Sequence, residues 1–217
     1  RGRGVDEVNV AMSATDGCGL KNQGLTVNQQ VEMLAGIVSG RANAGAASGA
    51  APSLSATLSC VWGCPFDGEV GVDQVADLVG RIAALGVEEI ALADTIGVGD
   101  PWAVTRKVEA ARKAAPDAVL RLHFHDTRNT GLANAYAGIE AGVSILDASV
   151  GGIGGCPFAP GATGNIATED LVYMLERAGY DTGYNLDTLI ESARWIGEKI
   201  GRPAPSALSR AGGWPKA

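Results

Sequence analysis

The stretch VLRLHFHD at residues 119–126 decides the fold, because an apolar strand pattern here ends in two histidines and an aspartate. A helix pattern precedes it, in which Asp100 is a suitable N-cap, Pro101 suits the first helical position and Pro116 ends the helix. A second helix pattern follows and closes at Gly142. A strand between two helices is the repeating unit of a parallel sheet.

The same alternation of strand and helix continues in both directions along the chain. Apolar runs predict five strands, over 7–13, 54–62, 89–95, 119–126 and 144–150. Helices with one apolar face are predicted from Thr26, over about 75–85 and 100–115, over 132–142, and from Thr168 and Asn185. Five strand–helix units in series fit either an open doubly wound sheet or a barrel.

Two observations favour the barrel. The loop after the first strand, with Gly17-Cys18-Gly19, does not match the G-x-G-x-x-G phosphate loop of the open sheet. Polar residues also stand at the carboxyl ends of several strands, which is typical of barrels: Ser59, Asp94, His123, His125, Asp126 and Asp147. We therefore predict an α/β fold, a (β/α)₈ TIM barrel that is incomplete, with about five units in one domain over 1–217. The Ala/Gly/Ser-rich segment 39–52 is predicted to be a flexible surface loop.

Composition excludes several classes of function. The 217 residues are 46% hydrophobic and carry a net charge of −7 without a basic block, so no nucleic-acid partner is expected. We expect no membrane span, because no apolar run reaches about 18 residues, and no secretory signal, because no apolar region follows Arg1 to Gly4. The spacing of the four cysteines (Cys18, Cys60, Cys64 and Cys156) is not that of a disulfide framework, so a cytoplasmic location is predicted.

The only two histidines form His123-Phe124-His125 and point to the same face of their strand. Two imidazoles at a strand end could clamp a metal ion, or could be hydrogen-bonded structural histidines. Asn165, which precedes a predicted helix, could offer an amide oxygen to a hard metal or could make a helix-start hydrogen bond. Both interpretations stay open for each residue on spacing alone.

The segment 151–165 has six glycines and two prolines, which is typical of a shaped active-site loop. Within it, Cys156 could donate or accept a proton or could be an inert thiol. The C-x₃-C pair Cys60 and Cys64 does not have zinc spacing, so it is interpreted as packed thiols in a turn. Asp94, at a strand end, could bind substrate polar groups or form its turn.

Five segments together resemble the hydroxymethylglutaryl-CoA lyase family and come in that family's order: 59–66 (SCVWGCPF), 94–99 (DTIGVG), 123–127 (HFHDT), 154–165 (GGCPFAPGATGN) and 167–175 (ATEDLVYML). The H-x-H motif is shared with isopropylmalate synthase, homocitrate synthase and 4-hydroxy-2-oxovalerate aldolase. The loop around Cys156 is much more specific to the lyase.

The resemblance implies a carbon–carbon lyase of leucine degradation that cleaves 3-hydroxy-3-methylglutaryl-CoA to acetyl-CoA and acetoacetate. It implies Mg²⁺ or Mn²⁺ on His123, His125 and Asn165, with an acyl-CoA as the partner. It makes His123 the proton shuttle and Cys156 the group that helps to protonate the acetyl-CoA enolate. Asp94 and Glu169 are carried over as polar, substrate-binding members of the site.

The sequence also departs from the family pattern. An Arg-Asp-Gly-type strand motif, whose Asp ligates the metal and whose Arg stabilises the enolate, is not found. The first strand here corresponds to the family's fourth, so we expect an inactive fragment that lacks three units and could dimerise through open sheet edges. A condensing synthase or a hydroxy-oxo-acid aldolase of the same barrel family is the closest alternative. A non-catalytic barrel fragment is an alternative from another class.

Overall fold

The fold is described from a computed structural model, which covers residues 5–48, 51–155 and 164–215. Its strands are β1 (Glu7–Ser13), β2 (Ser53–Ser59), β3 (Gly63–Cys64), β4 (Gly68–Glu69), β5 (Glu89–Asp94), β6 (Val119–Phe124) and β7 (Ile145–Asp147). Its helices are α1 (Asp16–Asn22), α2 (Val27–Ser48), α3 (Val72–Ala84), α4 (Pro101–Ala114), α5 (Gly131–Glu140), α6 (Thr168–Arg177), α7 (Leu186–Ile200) and α8 (Ala207–Ala211).

Five of these strands form one parallel sheet in the order β1-β2-β5-β6-β7, as predicted from the series of strand–helix units. Within the described residues, β1 pairs only with β2 and β7 pairs only with β6, so the sheet does not close. The short strands β3 and β4 form a separate antiparallel hairpin between β2 and α3. The predicted parallel fold is confirmed, and its two outer strands remain open.

The apolar face of the sheet packs against the helices and forms the core. Side chains on this face alternate along each strand and are fully or almost fully buried: Val10, Met12, Leu54, Leu58, Ile90, Leu92, Leu120, Leu122 and Phe124. The helices present matching stripes, such as Val75, Leu78, Val79 and Ile82 on α3. The core therefore lies between the sheet and its helix layer.

The opposite face of the sheet is polar. Asn9 on β1 donates to the Ser55 hydroxyl on β2 at 2.8 Å, and Glu89 and Arg121 stand in the same layer on β5 and β6. Side chains two residues apart share a face, so His123 projects from this polar face and Phe124 from the apolar one. The polar side chains at the strand ends can therefore form a site without disrupting the apolar core.

The structure differs from the prediction of a flexible loop over 39–52. Helix α2 continues to Ser48, and β2 begins at Ser53. Alanine has the highest helix propensity, and the four alanines among residues 42–47 favour continuing the helix despite Gly40 and Gly45. The loop prediction relied on the absence of apolar periodicity. Such periodicity shows that one face of a helix is buried, so its absence does not exclude a helix.

Two further elements differ from prediction. Helix α1 was not expected, although the Thr15 hydroxyl accepts from Cys18 N and caps it at 3.3 Å. Strand β2 ends at Ser59 rather than Trp62, because Cys60 has a positive φ of 61° that breaks the extended backbone. Across the described part of the chain, no helix is both long and apolar enough to span a membrane.

Leu122→Ala tests the assignment of the core face. Leu122 is fully buried on β6, so we expect the variant to lose about 2–5 kcal/mol of the free energy of unfolding through lost burial and a cavity. Val119→Ala, at a position 46% exposed on the same strand, should change it by about 0.5 kcal/mol or less. Urea unfolding measures both, and equal effects would contradict the assignment.

Candidate functional site

The two histidines lie side by side at the carboxyl end of β6. Their ring centroids are 5.3 Å apart with an angle of 66° between the ring planes. The parallel register places His123 level with Ala93 on β5 and with Asp147 on β7. Because Ala93 is small, the space beside the His123 ring on the β5 side is not filled by a large side chain.

A row of charges links His123 to the polar face of the sheet. Asp147 Oδ2 lies 3.8 Å from His123 Nδ1 and 3.4 Å from Arg121 Nε. The same Arg121 nitrogen lies 3.3 Å from Glu89 Oε1. Arg121 thus lies next to the carboxylate that faces His123 Nδ1. Its position two residues before His123, on the same face, was the sequence signal for this role, which our sequence analysis missed.

His125 is almost fully buried, and its Nδ1 has no hydrogen-bond partner within the described residues. Burial, followed by the neighbouring His123, lowers the pKa of His125 to about 4. Burial also lowers the pKa of His123, an effect that the Asp147 carboxylate partly opposes. Both rings are therefore neutral at pH 7, which is the form in which imidazole binds a metal ion.

Asn165 lies against both histidines. Its backbone forms a bridge with His125, and its side chain hydrogen-bonds His123. Its Nδ2 also donates to Ile153 O at 2.8 Å. Helix α6 has Ala167 as its N-cap, so Asn165 braces the loop rather than the helix start. The structure therefore brings together the three residues predicted as metal ligands.

These three residues fit a metal ion by their chemistry. An unpaired buried imidazole nitrogen costs free energy unless a partner takes it up, and an amide oxygen suits a hard cation. Within residues 5–48, 51–155 and 164–215, no group of three or more His, Cys, Asp or Glu side chains is placed to hold a metal. The described donors are therefore two imidazoles and one amide.

The glycine-rich loop begins and ends in tightly fixed backbone. Gly151 N donates to both carboxylate oxygens of Glu169, at 3.0 and 3.1 Å. Gly164 has a φ of +77°, and a Cβ there would lie 2.3 Å from Gly152 O. Only glycine fits that position, because both the backbone angle and the space exclude a side chain. Cys156, the predicted catalytic thiol, lies outside the described residues.

The two carboxylates predicted to bind substrate are both fully buried. Asp94 accepts from Val98 N at 3.0 Å and from Gly99 N at 2.8 Å, and burial raises its pKa. Glu169 is engaged with the backbone of the glycine-rich loop. Both hold loops at the site in this structure, and their contact with substrate stays a prediction.

A cavity of about 570 Å³ lies beside the glycine-rich loop. It extends from Gly152, Ile153 and Gly164 to Arg202 and Pro203, after α7. Arg202 also lines a second cavity, of about 370 Å³, together with Arg194 and Arg210. Three arginines therefore line this second cavity together with Glu198, and guanidinium groups are suited to phosphate groups.

The chain matches the HMGL-like family over residues 4–196. It is 39% identical over 203 residues to the hydroxymethylglutaryl-CoA lyase YngG of Bacillus subtilis, covering 94% of this chain and 66% of that protein. It is 44% identical over 151 residues to the (R)-citramalyl-CoA lyase of Chloroflexus aurantiacus, covering 70% of this chain and 48% of that protein. The chain thus spans less than two thirds of the length of these curated relatives.

Solved structures give the same result. The HMG-CoA lyase of Bacillus subtilis superposes with a TM-score of 0.87 at 38% identity, covering 95% of this chain and 67% of that one. An HMG-CoA lyase of Acinetobacter baumannii, in complex with coenzyme A and 3-methylmalate, also gives 0.87 at 38% identity, covering 98% and 68%. The match to these lyase barrels, with a sheet that stays open here, confirms the predicted incomplete barrel.

The buried His125 predicts a pH dependence of stability for the metal-free protein. Its pKa is about 4 in the folded chain and 6.5 when unperturbed, so the unfolded chain takes up this proton first as the pH falls. The free energy of unfolding should therefore fall between about pH 6.5 and pH 4, by up to roughly 3 kcal/mol from this group. Chemical unfolding at pH 7 and pH 4.5 with a chelator measures it.

His125→Gln is the matched variant for this measurement, because it keeps a polar side chain of similar length that does not titrate. We expect it to lose less stability than the wild type between the two pH values. His123 and the two aspartates with raised pKa values, Asp94 and Asp126, remain in both proteins. Equal losses would contradict the assignment of a neutral, buried His125.

Proposed function

The chain belongs to the HMGL-like family, and we propose that it carries the catalytic site of a lyase that cleaves 3-hydroxy-3-methylglutaryl-CoA to acetyl-CoA and acetoacetate. The observation that carries the proposal is the pair His123 and His125 beside Asn165, on a fold that superposes on HMG-CoA lyases at 38% identity. The chain spans 66% of one such relative, so the activity of the whole protein is part of the proposal.

We propose that His123, His125 and Asn165 hold a divalent metal ion, Mg²⁺ or Mn²⁺. The neutral imidazoles, the unpaired Nδ1 of His125 and the amide of Asn165 support this assignment. When bound, such an ion acidifies a substrate hydroxyl and polarises the carbonyl that forms from it. It would also give the unpaired Nδ1 of His125 a partner.

The chain's own groups would then carry the proton transfers. The proton of the substrate's 3-hydroxyl would go to the His123 ring in a step in which the accepting nitrogen does not bind the metal, because one lone pair cannot do both. The C2–C3 bond breaks, the hydroxyl carbon becomes the ketone of acetoacetate, and the electron pair remains on the thioester enolate. Cys156 protonates the enolate carbon, which gives acetyl-CoA.

The cavities beside the glycine-rich loop suit the coenzyme part of the substrate. We propose that the pantetheine arm lies in the cavity between Gly152 and Pro203, and that the phosphates reach Arg194, Arg202 and Arg210. The Acinetobacter baumannii relative was solved with coenzyme A, which supports an acyl-CoA ligand here. Asp94 and Glu169 would position the loops around this ligand, in addition to the substrate contacts predicted for them.

The cellular setting is also a proposal. The described cysteines Cys18, Cys60 and Cys64 are free thiols, which favours a reducing compartment such as the cytoplasm. The cleavage would serve the last step of leucine degradation.

The open edges of β1 and β7 favour a homodimer, because an unpaired edge strand can pair with another chain.

A second candidate substrate follows from one relative. The (R)-citramalyl-CoA lyase of Chloroflexus aurantiacus is 44% identical over 151 residues, a higher identity over a shorter span. Cleavage of citramalyl-CoA by the same bond rupture would yield pyruvate in place of acetoacetate. The two reactions need the same metal and the same proton transfers. They are therefore distinguished by the acid that is released, which is acetoacetate in one and pyruvate in the other.

Metal-dependent release of acetoacetate from 3-hydroxy-3-methylglutaryl-CoA tests the main proposal, with citramalyl-CoA assayed in parallel. We expect activity with Mg²⁺ or Mn²⁺, which a chelator abolishes, from the form that also carries the upstream third of a relative. His125→Ala and Cys156→Ala should each lower kcat/KM by about 10²-fold or more, because one removes a metal ligand and the other a proton donor. Cys64→Ala, a buried thiol on the β3–β4 hairpin, is the matched control and should stay active.

The assay is run on this chain and on a fusion with the upstream third of the Bacillus subtilis lyase, since the chain covers 66% of that relative. Activity of either form supports the proposal. Folded protein without activity in both forms, or activity that does not need a metal, would overturn it. A higher kcat/KM for citramalyl-CoA would assign the second substrate.

Asp147→Asn tests the positioning of His123 by a measurement that does not need turnover. The amide removes the negative charge that faces His123 and Arg121, so Mn²⁺ should bind about 10–100-fold more weakly. Titration calorimetry measures the affinity. Asp77→Asn, an exposed carboxylate on α3, is the control. Unchanged Mn²⁺ affinity in Asp147→Asn would contradict the positioning role.

A further inference from the structure

Three cysteine thiols form a buried cluster of their own at the carboxyl ends of β1 and β2. Cys18 lies on α1, Cys60 directly follows β2, and Cys64 lies on the β3–β4 hairpin. All three are free and buried. The proposed lyase mechanism uses none of them, so their arrangement needs a separate explanation.

Two of the three thiols are in direct contact. Cys60 Sγ donates to Cys18 Sγ at 3.2 Å. A disulfide bond is 2.03–2.05 Å long, so the two sulfurs need to approach by only about 1.2 Å to form one. The residues are 42 positions apart in sequence, so the fold brings them together, not the local chain.

The backbone at Cys60 is held in an unusual conformation that maintains this contact. Its φ of +61° belongs to the left-handed region, which non-glycine residues rarely adopt. Cys60 N donates to the Thr95 hydroxyl at 2.8 Å, and Val61 N donates to Ala93 O at 3.1 Å. Hydrogen bonds to β5 and its loop thus fix a strained residue whose sulfur contacts Cys18.

The two sulfurs are not equivalent. Cys18 Sγ accepts from Cys60 and, at 3.4 Å, from the Ser13 hydroxyl, and the Ser59 hydroxyl lies 3.8 Å away. The hydrogen bond from Cys60 is the main cause that lowers the pKa of Cys18 to about 6, whereas the same bond raises the pKa of Cys60. A thiolate is the form of cysteine that attacks oxidants, so Cys18 is the nucleophile of the pair.

Cys64 is engaged elsewhere. Its thiol donates to Asp67 Oδ2 at 3.5 Å, and its sulfur accepts from Phe66 N at 3.4 Å. Asp67 is itself bound by Gly17 N at 2.7 Å. The third thiol is therefore tied to the hairpin and is the natural comparison for the other two.

We propose that Cys18 and Cys60 are a modification site, where a hydroperoxide such as hydrogen peroxide forms a reversible intramolecular disulfide. The Cys18 sulfur attacks one peroxide oxygen, the O–O bond breaks, and hydroxide leaves and takes up the proton that Cys18 has given up. The Cys60 sulfur then attacks the resulting Cys18 sulfenic acid. The S–O bond breaks, the S–S bond forms, and the Cys60 proton joins the leaving hydroxyl as water.

Overall, two thiols are oxidised and one hydrogen peroxide is reduced to two waters, and a dithiol reductant reverses the change. In this proposal the peroxide reaches the buried pair when α1 opens, since a helix of seven residues is too short to be stable by itself. Oxidation would tie α1 covalently to the end of β2. This site is independent of the proposed lyase activity and is tested without it.

Peptide mapping of the whole protein tests the proposal. The protein is treated with hydrogen peroxide, free thiols are blocked, and trypsin with chymotrypsin releases peptides, since chymotrypsin cuts after Trp62, between Cys60 and Cys64. We expect a Cys18–Cys60 cross-link at least tenfold more abundant than any cross-link that contains Cys64, and its loss after dithiothreitol. Oxidation of the exposed Met33 marks an effective peroxide dose.

Absence of the Cys18–Cys60 cross-link at a dose that oxidises Met33, or a dominant Cys60–Cys64 cross-link, would overturn the proposal. Cys64→Ser is the matched control and should cross-link as the wild type does, whereas Cys18→Ser should not cross-link at Cys60. The wild-type map decides the question by itself, even where a variant fails to fold.

Discussion

The parallel register across β5, β6 and β7 is the constraint on which the site depends. It sets Ala93, His123 and Asp147 in one row, so that a small residue and a carboxylate stand on the two sides of one imidazole. A strand alternates its side chains with a period of two, so a slip of one residue in β6 would turn both histidines into the helix layer. Phe124, now fully buried, would then face the polar side. The apolar core and the site thus enforce the same register.

One face of the sheet stabilises the fold, and the other face carries the polar residues that lead to the site. The helix-facing side supplies the buried apolar area, while the polar side carries Asn9, Ser55, Glu89 and Arg121. The site is assembled where this polar side ends, with loops that are braced mainly by buried carboxylates. Asp94 binds the loop after β5, and Glu169 binds the start of the glycine-rich loop. These acids act on the backbone, so the geometry of the site depends on groups that need not touch a ligand.

Much of the fold was predictable from the sequence because burial leaves a periodic trace. The five main strands and the parallel sheet followed from apolar runs between capped helices, and His123 and His125 were paired by their spacing. What failed has a common physical origin. Segment 39–48 forms a helix by propensity and has no apolar stripe that would reveal it. Helix α1 depends on a single threonine cap, which is a weak signal. The positions of Arg121 and Asn165 have local signals, but their contacts with Asp147 and Ile153 join distant parts of the chain, which no local pattern encodes.

Gly164 has a consequence for how such a protein can vary over evolutionary time. Its left-handed backbone and the 2.3 Å that a Cβ would leave to Gly152 O close this position to all other residues. The next residue is Asn165, whose main chain bridges to His125. Any replacement of Gly164 would clash with Gly152 and would displace Asn165, a candidate metal ligand. Substitutions at this position are therefore not neutral. We therefore expect amino-acid substitutions during evolution to accumulate at positions farther from Gly164 and Asn165.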